Sequence, residues 1–256
     1  MSAPLRLGLL HTVPALATTF DALVAELAPG TETVHVVDAS LLARAVGEGG
    51  VSAEVSARAV AHTGYLAGLG VDAVLVTCSS IGECADLAAR DADVPVLRVD
   101  RPMARRAVAL AADGSGRSDS GGRTGRDDGA GGAAGGDRAV AADEASGRIA
   151  VLATLSSTLG PTTRLVEGEV AAAGARVEID PVLVVGAAEA RGRGDQATHD
   201  ELVRRAVGRA AQRAAVVVLA QASMADALAG ADPAPVPVLS SPTTGLEAAI
   251  VAAQRR

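Results

Sequence analysis

The chain has 256 residues, of which 49% are apolar, enough to build one large domain or two smaller ones. Its formal net charge of −7 argues against binding to nucleic acid, which requires a basic face. No apolar run approaches the roughly 18 residues of a membrane span, and the apolar start of the chain is too short for a signal peptide, so we expect no membrane association.

The chain opens with alternating apolar and amphipathic stretches. Short β-branched or leucine-rich runs predict buried strands, and the alanine-rich stretches between them predict helices. The predicted strands of this first part are LRLGLL, ETVHVVD, DAVLVT and VPVLRV, and the predicted helices include LATTFDALVAELA and AEVSARAVAHTGYLAGLG.

A Gly-rich segment then interrupts the pattern. Residues 113–147 contain few large apolar side chains, so they cannot bury enough surface to offset their ordering entropy. We predict a disordered linker or inserted loop here. After it the strand pattern resumes with RIAVLA, RVEIDPVLVV, AAVVVLA and VPVLS, and strands that alternate with helices predict right-handed βαβ units and parallel sheets.

The two parts of the chain resemble each other. RLGLLHTVP matches RIAVLATLS, DAVLVTCSSIGECADLA matches AAVVVLAQASMADALA, and VPVL follows at nearly the same distance in both. This repeat predicts an α/β fold of two pseudosymmetric three-layer lobes with mainly parallel sheets, formed by residues 1–112 and 148–256. We leave open whether the C-terminal helix packs back on the first lobe.

Polar residues follow four of the predicted strands. In open parallel sheets ligands bind beyond the carboxyl ends of the strands, and helix N-termini at such an edge suit a carboxylate. The repeat sets Cys78 and Gln221 at equivalent positions, so lobes that face each other would place them across a cleft. The candidate site residues are His11 and Thr12, then Thr77, Cys78, Ser79 and Ser80, then Thr154, Ser157 and Thr158, and finally Gln221, Ala222 and Ser223.

Cysteine and cofactor signals are sparse. The two cysteines, Cys78 and Cys84, offer no disulfide framework, which favours a reducing cytoplasm. No cluster has metal-ligand spacing, and no Gly-x-Gly-x-x-Gly motif precedes a helix. We therefore expect neither a metal nor another cofactor, and we expect Cys84 to pack against the sheet.

Four stretches together resemble the aspartate/glutamate/hydantoin racemase superfamily. They are VLVTCSSIGE, RIAVLATLSSTLGPT, VVVLAQASM and VPVLSSP, and the resemblance covers nearly all of the chain except the linker. It implies two lobes, no pyridoxal phosphate, and proton transfer by one cysteine from each lobe on opposite faces of the substrate α-carbon. It also implies that hydroxyl groups and backbone amides hold the substrate carboxylate.

The resemblance carries over to particular residues. Cys78 matches the first-lobe cysteine, and Ser79 and Ser80 match the polar residues after it. Thr154, Ser157 and Thr158 match the carboxylate-binding turn of the second lobe. Gln221 stands where the second cysteine would be, and an amide cannot transfer a proton at physiological pH.

These assignments predict a one-cysteine, racemase-like isomerase acting on a small amino acid or carboxylic acid. Cys78 would act as acid/base or nucleophile, with a pKa lowered to roughly 3.5–7.5 by its helix N-terminus. Gln221 would hold a carboxylate or enolate oxygen, and His11 would orient a carboxylate or serve as a second acid/base.

Three alternatives stay open. The superfamily includes decarboxylases that keep a single cysteine as proton donor, so a decarboxylase or lyase is one. A non-catalytic carboxylate-binding protein with the same cleft is another. Finally, the position of Cys78 alone favours an ordinary buried small residue, whereas its TCSS context and the resemblance favour a functional role. Folds of this kind commonly form homodimers.

Overall fold

The computed structural model describes residues 4–118 and 147–256, so most of the predicted linker lies outside the described residues. All eight predicted strands are present. The first part of the chain contains β1 (Arg6–His11), α1 (Ala15–Leu27), β2 (Glu32–Val37), α2 (Ala39–Gly47), α3 (Ala53–Gly68), β3 (Ala73–Val76), a 3₁₀ turn (Ser79–Ile81), α4 (Gly82–Ala88), β4 (Val96–Arg98) and α5 (Arg101–Ser118).

The second part repeats this order, but the helix after its third strand is shorter. It contains β5 (Arg148–Ala153), α6 (Ser156–Ala173), β6 (Glu178–Leu183), α7 (Ala187–Gly192), α8 (Gln196–Ala210), β7 (Val216–Leu219), α9 (Ser223–Asp226), β8 (Val238–Ser240) and α10 (Ser241–Gln254).

Two parallel sheets with the same strand order confirm the predicted fold. The first has the order β2-β1-β3-β4 and the second the order β6-β5-β7-β8. Their registers also correspond, since Arg6 is paired with Glu32 in one and Arg148 with Glu178 in the other. Each of these pairs forms an ion pair, at 3.6 Å and 2.8 Å. The internal repeat is therefore visible in side-chain contacts as well as in topology.

The central strands are short, apolar and covered on both faces. Every residue of β3 and of β7 is buried, as expected for parallel strands between layers of helices. The edge strands β2 and β6 are only partly buried. The carboxyl ends of β1 and β3, and of β5 and β7, therefore lie side by side in the middle of each sheet, where the candidate site residues begin.

Two helices pack against the sheet of the lobe other than their own. Met103, Ala107 and Ala111 of α5 belong to the core of the second sheet, whereas Leu246 and Ile250 of α10 belong to the core of the first. Packing therefore does not follow the predicted division at residue 112. Helix α5 runs on to Ser118, past residue 113, where the predicted linker begins.

A close approach fixes α10 on the first lobe. A Cβ atom added to Gly245 would lie 2.5 Å from the backbone oxygen of Val99, just after β4. Only glycine allows the helix to pack this tightly against that backbone. The start of α10 is thereby held against the end of the first sheet.

Candidate active site

The carboxyl ends of the central strands place equivalent residue pairs in the two lobes. The backbone nitrogen of Thr77 donates to the oxygen of Leu10 at 3.0 Å, which sets Cys78 beside Thr12. In the second lobe, Ala220 donates in the same way to Leu152 at 2.9 Å, which sets Gln221 beside Thr154. Cys78 and Gln221 thus each follow the residue that is bonded to the neighbouring central strand in its own sheet.

Cys78 lies at the start of the 3₁₀ turn and is partly exposed. Burial of its thiol raises the pKa above its ordinary value, although hydrogen bonds from the Thr12 side chain and from the backbone amides of Ser80 and Ile81 lower it. The expectation of a lowered pKa is therefore wrong for this structure. A short turn supplies few amides, and their effect is smaller than that of desolvation. The side chain at neutral pH is a thiol.

The two serines after Cys78 are buried, and one of them reaches the other lobe. Ser79 and Ser80 are 7% and 3% exposed. The hydroxyl of Ser80 lies 2.8 Å from that of Thr158, at the start of α6. The turn that carries the thiol therefore contacts the second-lobe segment that the resemblance assigns to carboxylate binding.

The N-terminus of α6 has no side-chain cap, because Leu155 occupies the capping position. Next to Thr158, the Ser157 hydroxyl is buried and has no hydrogen-bond partner within the described part of the chain. Free amides at a helix start and an unpaired buried hydroxyl are suited to an anionic ligand.

Gln221 is held by the residue beside it. Its Oε1 accepts from the backbone nitrogen of Thr154 at 2.6 Å and from the Thr154 hydroxyl at 2.9 Å. A backbone N–H can only donate, so this contact fixes which end of the amide faces Thr154. The Nε2 group donates to no other described residue and remains available to a ligand. Ala222 and Ser223, which follow, are partly exposed at the start of α9.

His11 is fully buried, and both of its ring nitrogens have partners. Nδ1 lies 2.8 Å from the hydroxyl of Thr77, and Nε2 lies 2.9 Å from Nδ1 of His35. The Thr77 hydroxyl also lies 3.0 Å from the carbonyl oxygen of Leu10. These two side chains are thus engaged with each other, and direct contact of either with a substrate stays a prediction.

Sequence reasoning missed two features of the first lobe. His35 Nε2 lies 2.9 Å from Oδ1 of Asp21, which extends the His11 contact by one further residue. This contact joins α1 to β2, so no local spacing could indicate it. In addition, Arg98 forms a buried ion pair with Asp100 at 2.7 Å, and the i, i+2 spacing of these two residues at the end of β4 is the local signal that could have indicated the pair. Cys84 is buried in the first-lobe core, as expected, and burial raises its pKa to about 11.

A charged cavity lies between α4, α5 and α6, apart from the candidate residues. Its volume is about 320 Å³. Its charged lining is mutually paired, with Arg101 bound to Asp86 at 2.9 Å and to Glu169 at 3.3 Å. The cavity therefore presents neutralised ion pairs, and none of the predicted site residues lines it.

Within residues 4–118 and 147–256, no helix combines the length and apolar character needed to cross a bilayer. Over the same residues, no three His, Cys, Asp or Glu side chains are grouped as a metal site.

No sequence profile of a known family matches the chain, and no curated protein matches it. Solved structures do match. Glutamate racemase from Francisella tularensis, in complex with D-glutamate, has a TM-score of 0.63 at 12% identity, over 96% of this chain and 80% of that chain. Allantoin racemase from Pseudomonas fluorescens has a TM-score of 0.56 at 16% identity, over 98% and 92%.

A third similar structure is an arylmalonate decarboxylase, with a TM-score of 0.51 at 17% identity over 97% of this chain and 92% of that one. Likeness at such identities concerns the fold. The two sheets of equal strand order, and the thiol at the end of a central strand, agree with what the sequence resemblance implies. The chain therefore has the two-lobed fold of these racemase and decarboxylase structures.

Proposed function

We propose that this protein is a cofactor-independent, isomerase-type enzyme that moves a proton at the carbon next to a carboxylate of a small amino acid or carboxylic acid. The observation that carries the proposal is the position of Cys78. Its thiol lies at the end of a central strand, beside the Thr12 hydroxyl and the amides of Ser80 and Ile81, where the two lobes meet.

Cys78 is the proton-transfer group in this proposal. In one direction, the S–H proton passes to the carbon of an enolate, a C–H bond forms, and a thiolate remains. The Thr12 hydroxyl and the amides of Ser80 and Ile81 stabilise that thiolate while it exists. In the other direction the thiolate removes the α-proton. The raised pKa favours the thiol as the resting form, which suits a proton donor.

The second lobe supplies substrate binding. The uncapped start of α6 and the unpaired hydroxyl of Ser157 would hold one carboxylate. The Nε2 group of Gln221 would donate to a further oxygen of the substrate, either on the enolate or on a second carboxylate. Because Thr154 fixes the orientation of that amide, Gln221 would act as a hydrogen-bond donor.

A decarboxylase is the second candidate, and Gln221 is the observation that favours it. Racemisation through two bases needs a titratable group on each face of the carbon, and an amide is not one. Loss of CO₂ from a malonate-type acid leaves an enolate that needs only one proton. The Cys78 thiol would supply that proton.

Deuterium exchange tests the proposal directly. The protein would be incubated in deuterated water, without added metal or cofactor, with small amino, hydroxy and dicarboxylic acids, and followed by proton NMR. We expect deuterium at the α-carbon with at least one acid, loss of the activity in Cys78→Ser, and its retention in Cys84→Ser.

The form of the product separates the candidates. Deuterium in both enantiomers indicates racemisation, whereas a monodeuterated product with one carboxylate fewer indicates decarboxylation. If no acid exchanges or loses CO₂, but dicarboxylates still raise the melting temperature, the protein binds carboxylates without catalysis and the proposal is wrong.

A further inference from the structure

Four side chains of the first lobe form a continuous hydrogen-bonded chain, here called the Asp21–Thr77 chain. Asp21 lies 2.9 Å from His35, His35 lies 2.9 Å from His11, and His11 lies 2.8 Å from Thr77. The Asp21 side chain is 53% exposed and that of His35 is 18% exposed, whereas His11 is fully buried. The chain therefore runs from solvent to the residue that precedes Cys78.

The second lobe has no such chain, although its sheet has the same order and register. The equivalent positions carry Ala153, Pro181 and Ala220, in place of His11, His35 and Thr77. The fold therefore does not require polar side chains here. Burying imidazole groups costs free energy unless every polar atom is paired, and the second lobe avoids this with alanine. Among the described residues, the Asp21–Thr77 chain occurs only in the lobe that carries Cys78.

Strand geometry connects the Asp21–Thr77 chain to the thiol. Successive side chains of a strand point to opposite faces of the sheet, so His11 and Thr77 share one face while Thr12 and Cys78 share the other. The bond between His11 and Thr77 links the ends of β1 and β3 one residue before the Thr12 hydroxyl meets the thiol. Loss of the bond between His11 and Thr77 would therefore move Thr12 relative to Cys78.

We propose that Asp21, His35 and His11 are positioning residues for Cys78. They hold Thr77 and, through the strand ends, set the distance between the Thr12 hydroxyl and the Cys78 thiol. This inference rests on the proposed role of Cys78 as the reacting group.

Donor and acceptor rules allow two proton arrangements with the same heavy-atom positions. With neutral rings, the Thr77 hydroxyl donates to His11, His11 donates to His35, and His35 donates to Asp21. With one added proton, His35 donates to both of its neighbours and His11 donates to Thr77. The Thr77 hydroxyl then donates to the Leu10 carbonyl at 3.0 Å. A proton gained near the surface thus changes the bonding of Thr77.

The charged groups around His11 all belong to the Asp21–Thr77 chain. His35 from β2 and Asp21 from α1 are the charged groups that act on it. The ring of Phe20 lies with its centroid 5.6 Å away, and α10 contributes apolar side chains such as Leu246 to the same core. Burial is the largest cause of the lowered pKa of His11, His35 lowers it further, and Asp21 raises it.

Alkylation of Cys78 by iodoacetamide tests the inference without any substrate. The rate constant would be measured from about pH 6 to 10 in a Cys84→Ala background. We expect His35→Ala to change the Cys78 rate constant about 10-fold, the effect of a small displacement of a reacting group. The double variant His11→Ala with Thr77→Ala should have a similar effect, and it should fold because the second lobe carries alanine at both positions.

A conservative variant separates positioning from packing. In His35→Gln the amide can still accept from His11 and donate to Asp21, but it cannot gain a proton. We expect it to restore the wild-type rate constant of Cys78 alkylation. His62→Ala, which removes a first-lobe histidine outside the chain, should leave rate and profile unchanged.

The inference is overturned if the folded His35→Ala and double variants keep the wild-type rate and profile. It is also overturned if His35→Gln behaves like His35→Ala, since filling the space and bonding both neighbours would then have no effect. Alkylation of Cys78 needs no enzymatic turnover. A protein that exchanges no α-proton in deuterated water can therefore still show that the alkylation rate depends on His35 and His11. The proposed activity and the positioning role are thus tested independently.

Discussion

The side-chain oxygen of Gln221 lies 2.6 Å from the backbone nitrogen of Thr154 and 2.9 Å from its hydroxyl. In the first lobe, the equivalent threonine, Thr12, contacts the thiol of Cys78. One position in a duplicated fold thus carries a thiol in one lobe and an oriented amide in the other. The two faces of the proposed cleft are therefore chemically unequal.

Gln221→Glu tests that inequality. A glutamate keeps the acceptor that Thr154 needs, but it replaces the donor with a negative oxygen. We expect an unchanged melting temperature and an affinity for dicarboxylates lowered at least about 10-fold, because a charge-assisted hydrogen bond is lost and a repulsion is gained. Isothermal titration measures this. Gln254→Glu, at the exposed end of α10, is the matched control, and equal affinities in all three proteins would contradict the assigned role.

The stability of the protein should depend on pH through His11. Burial and the nearby His35 lower the pKa of His11 from 6.5 to about 4, so the unfolded chain binds this proton more readily than the folded one. Stability attributable to His11 is therefore lost as the pH falls from about 6.5 to 4, by about 3 kcal/mol, and changes no further below that window.

Urea denaturation across that range checks the pH dependence. The double variant His11→Ala with Thr77→Ala should show a shallower loss of unfolding free energy over that range. A double variant with the full slope would mean that other groups cause the acid instability.

The approach of α10 to the first lobe predicts a strong effect at Gly245. A methyl group there would lie 2.5 Å from the backbone oxygen of Val99, which cannot move aside as a flexible side chain can. We expect Gly245→Ala to lower the unfolding free energy by about 2 kcal/mol or more. Gly64→Ala, in an exposed turn of α3 with open space around it, should instead raise it by about 0.5–1 kcal/mol. Thermal unfolding of both variants decides the matter, and a neutral Gly245→Ala would refute the close packing.

The buried pair of Arg98 and Asp100 predicts a second strong effect. The two side chains are 5% and 0% exposed, and two hydrogen bonds join them, at 2.7 Å and 3.0 Å. Asp100→Asn should lower the unfolding free energy by about 3 kcal/mol, because it leaves a buried guanidinium short of its partner.

An exposed ion pair offers the comparison for Asp100. Glu178 is largely exposed where it meets Arg148, so Glu178→Gln should cost less than about 1 kcal/mol. Chemical denaturation of the two variants gives the difference, and similar small losses in both would show that Asp86 alone suffices to hold Arg98.

The strands, their parallel pairing and the repeat of one order in two lobes could all be predicted from the sequence. Each of these follows from local apolar periodicity, as in the runs at Val74 and Val217, and from the way alternating strands and helices must connect. The carboxyl-end position of Cys78 and Gln221 followed from the same pattern, because parallel strands bring their ends to one edge.

Local sequence patterns could not predict three features: the exchange of α5 and α10 between the lobes, the orientation of the Gln221 amide, and the contact of Asp21 with His35. The tertiary structure also reversed the expected pKa shift of Cys78. Each of these depends on atoms that are distant along the chain, or on how much water folding removes from a group. Local patterns encode which residues form an element, whereas desolvation and long-range hydrogen bonds exist only once the elements are packed.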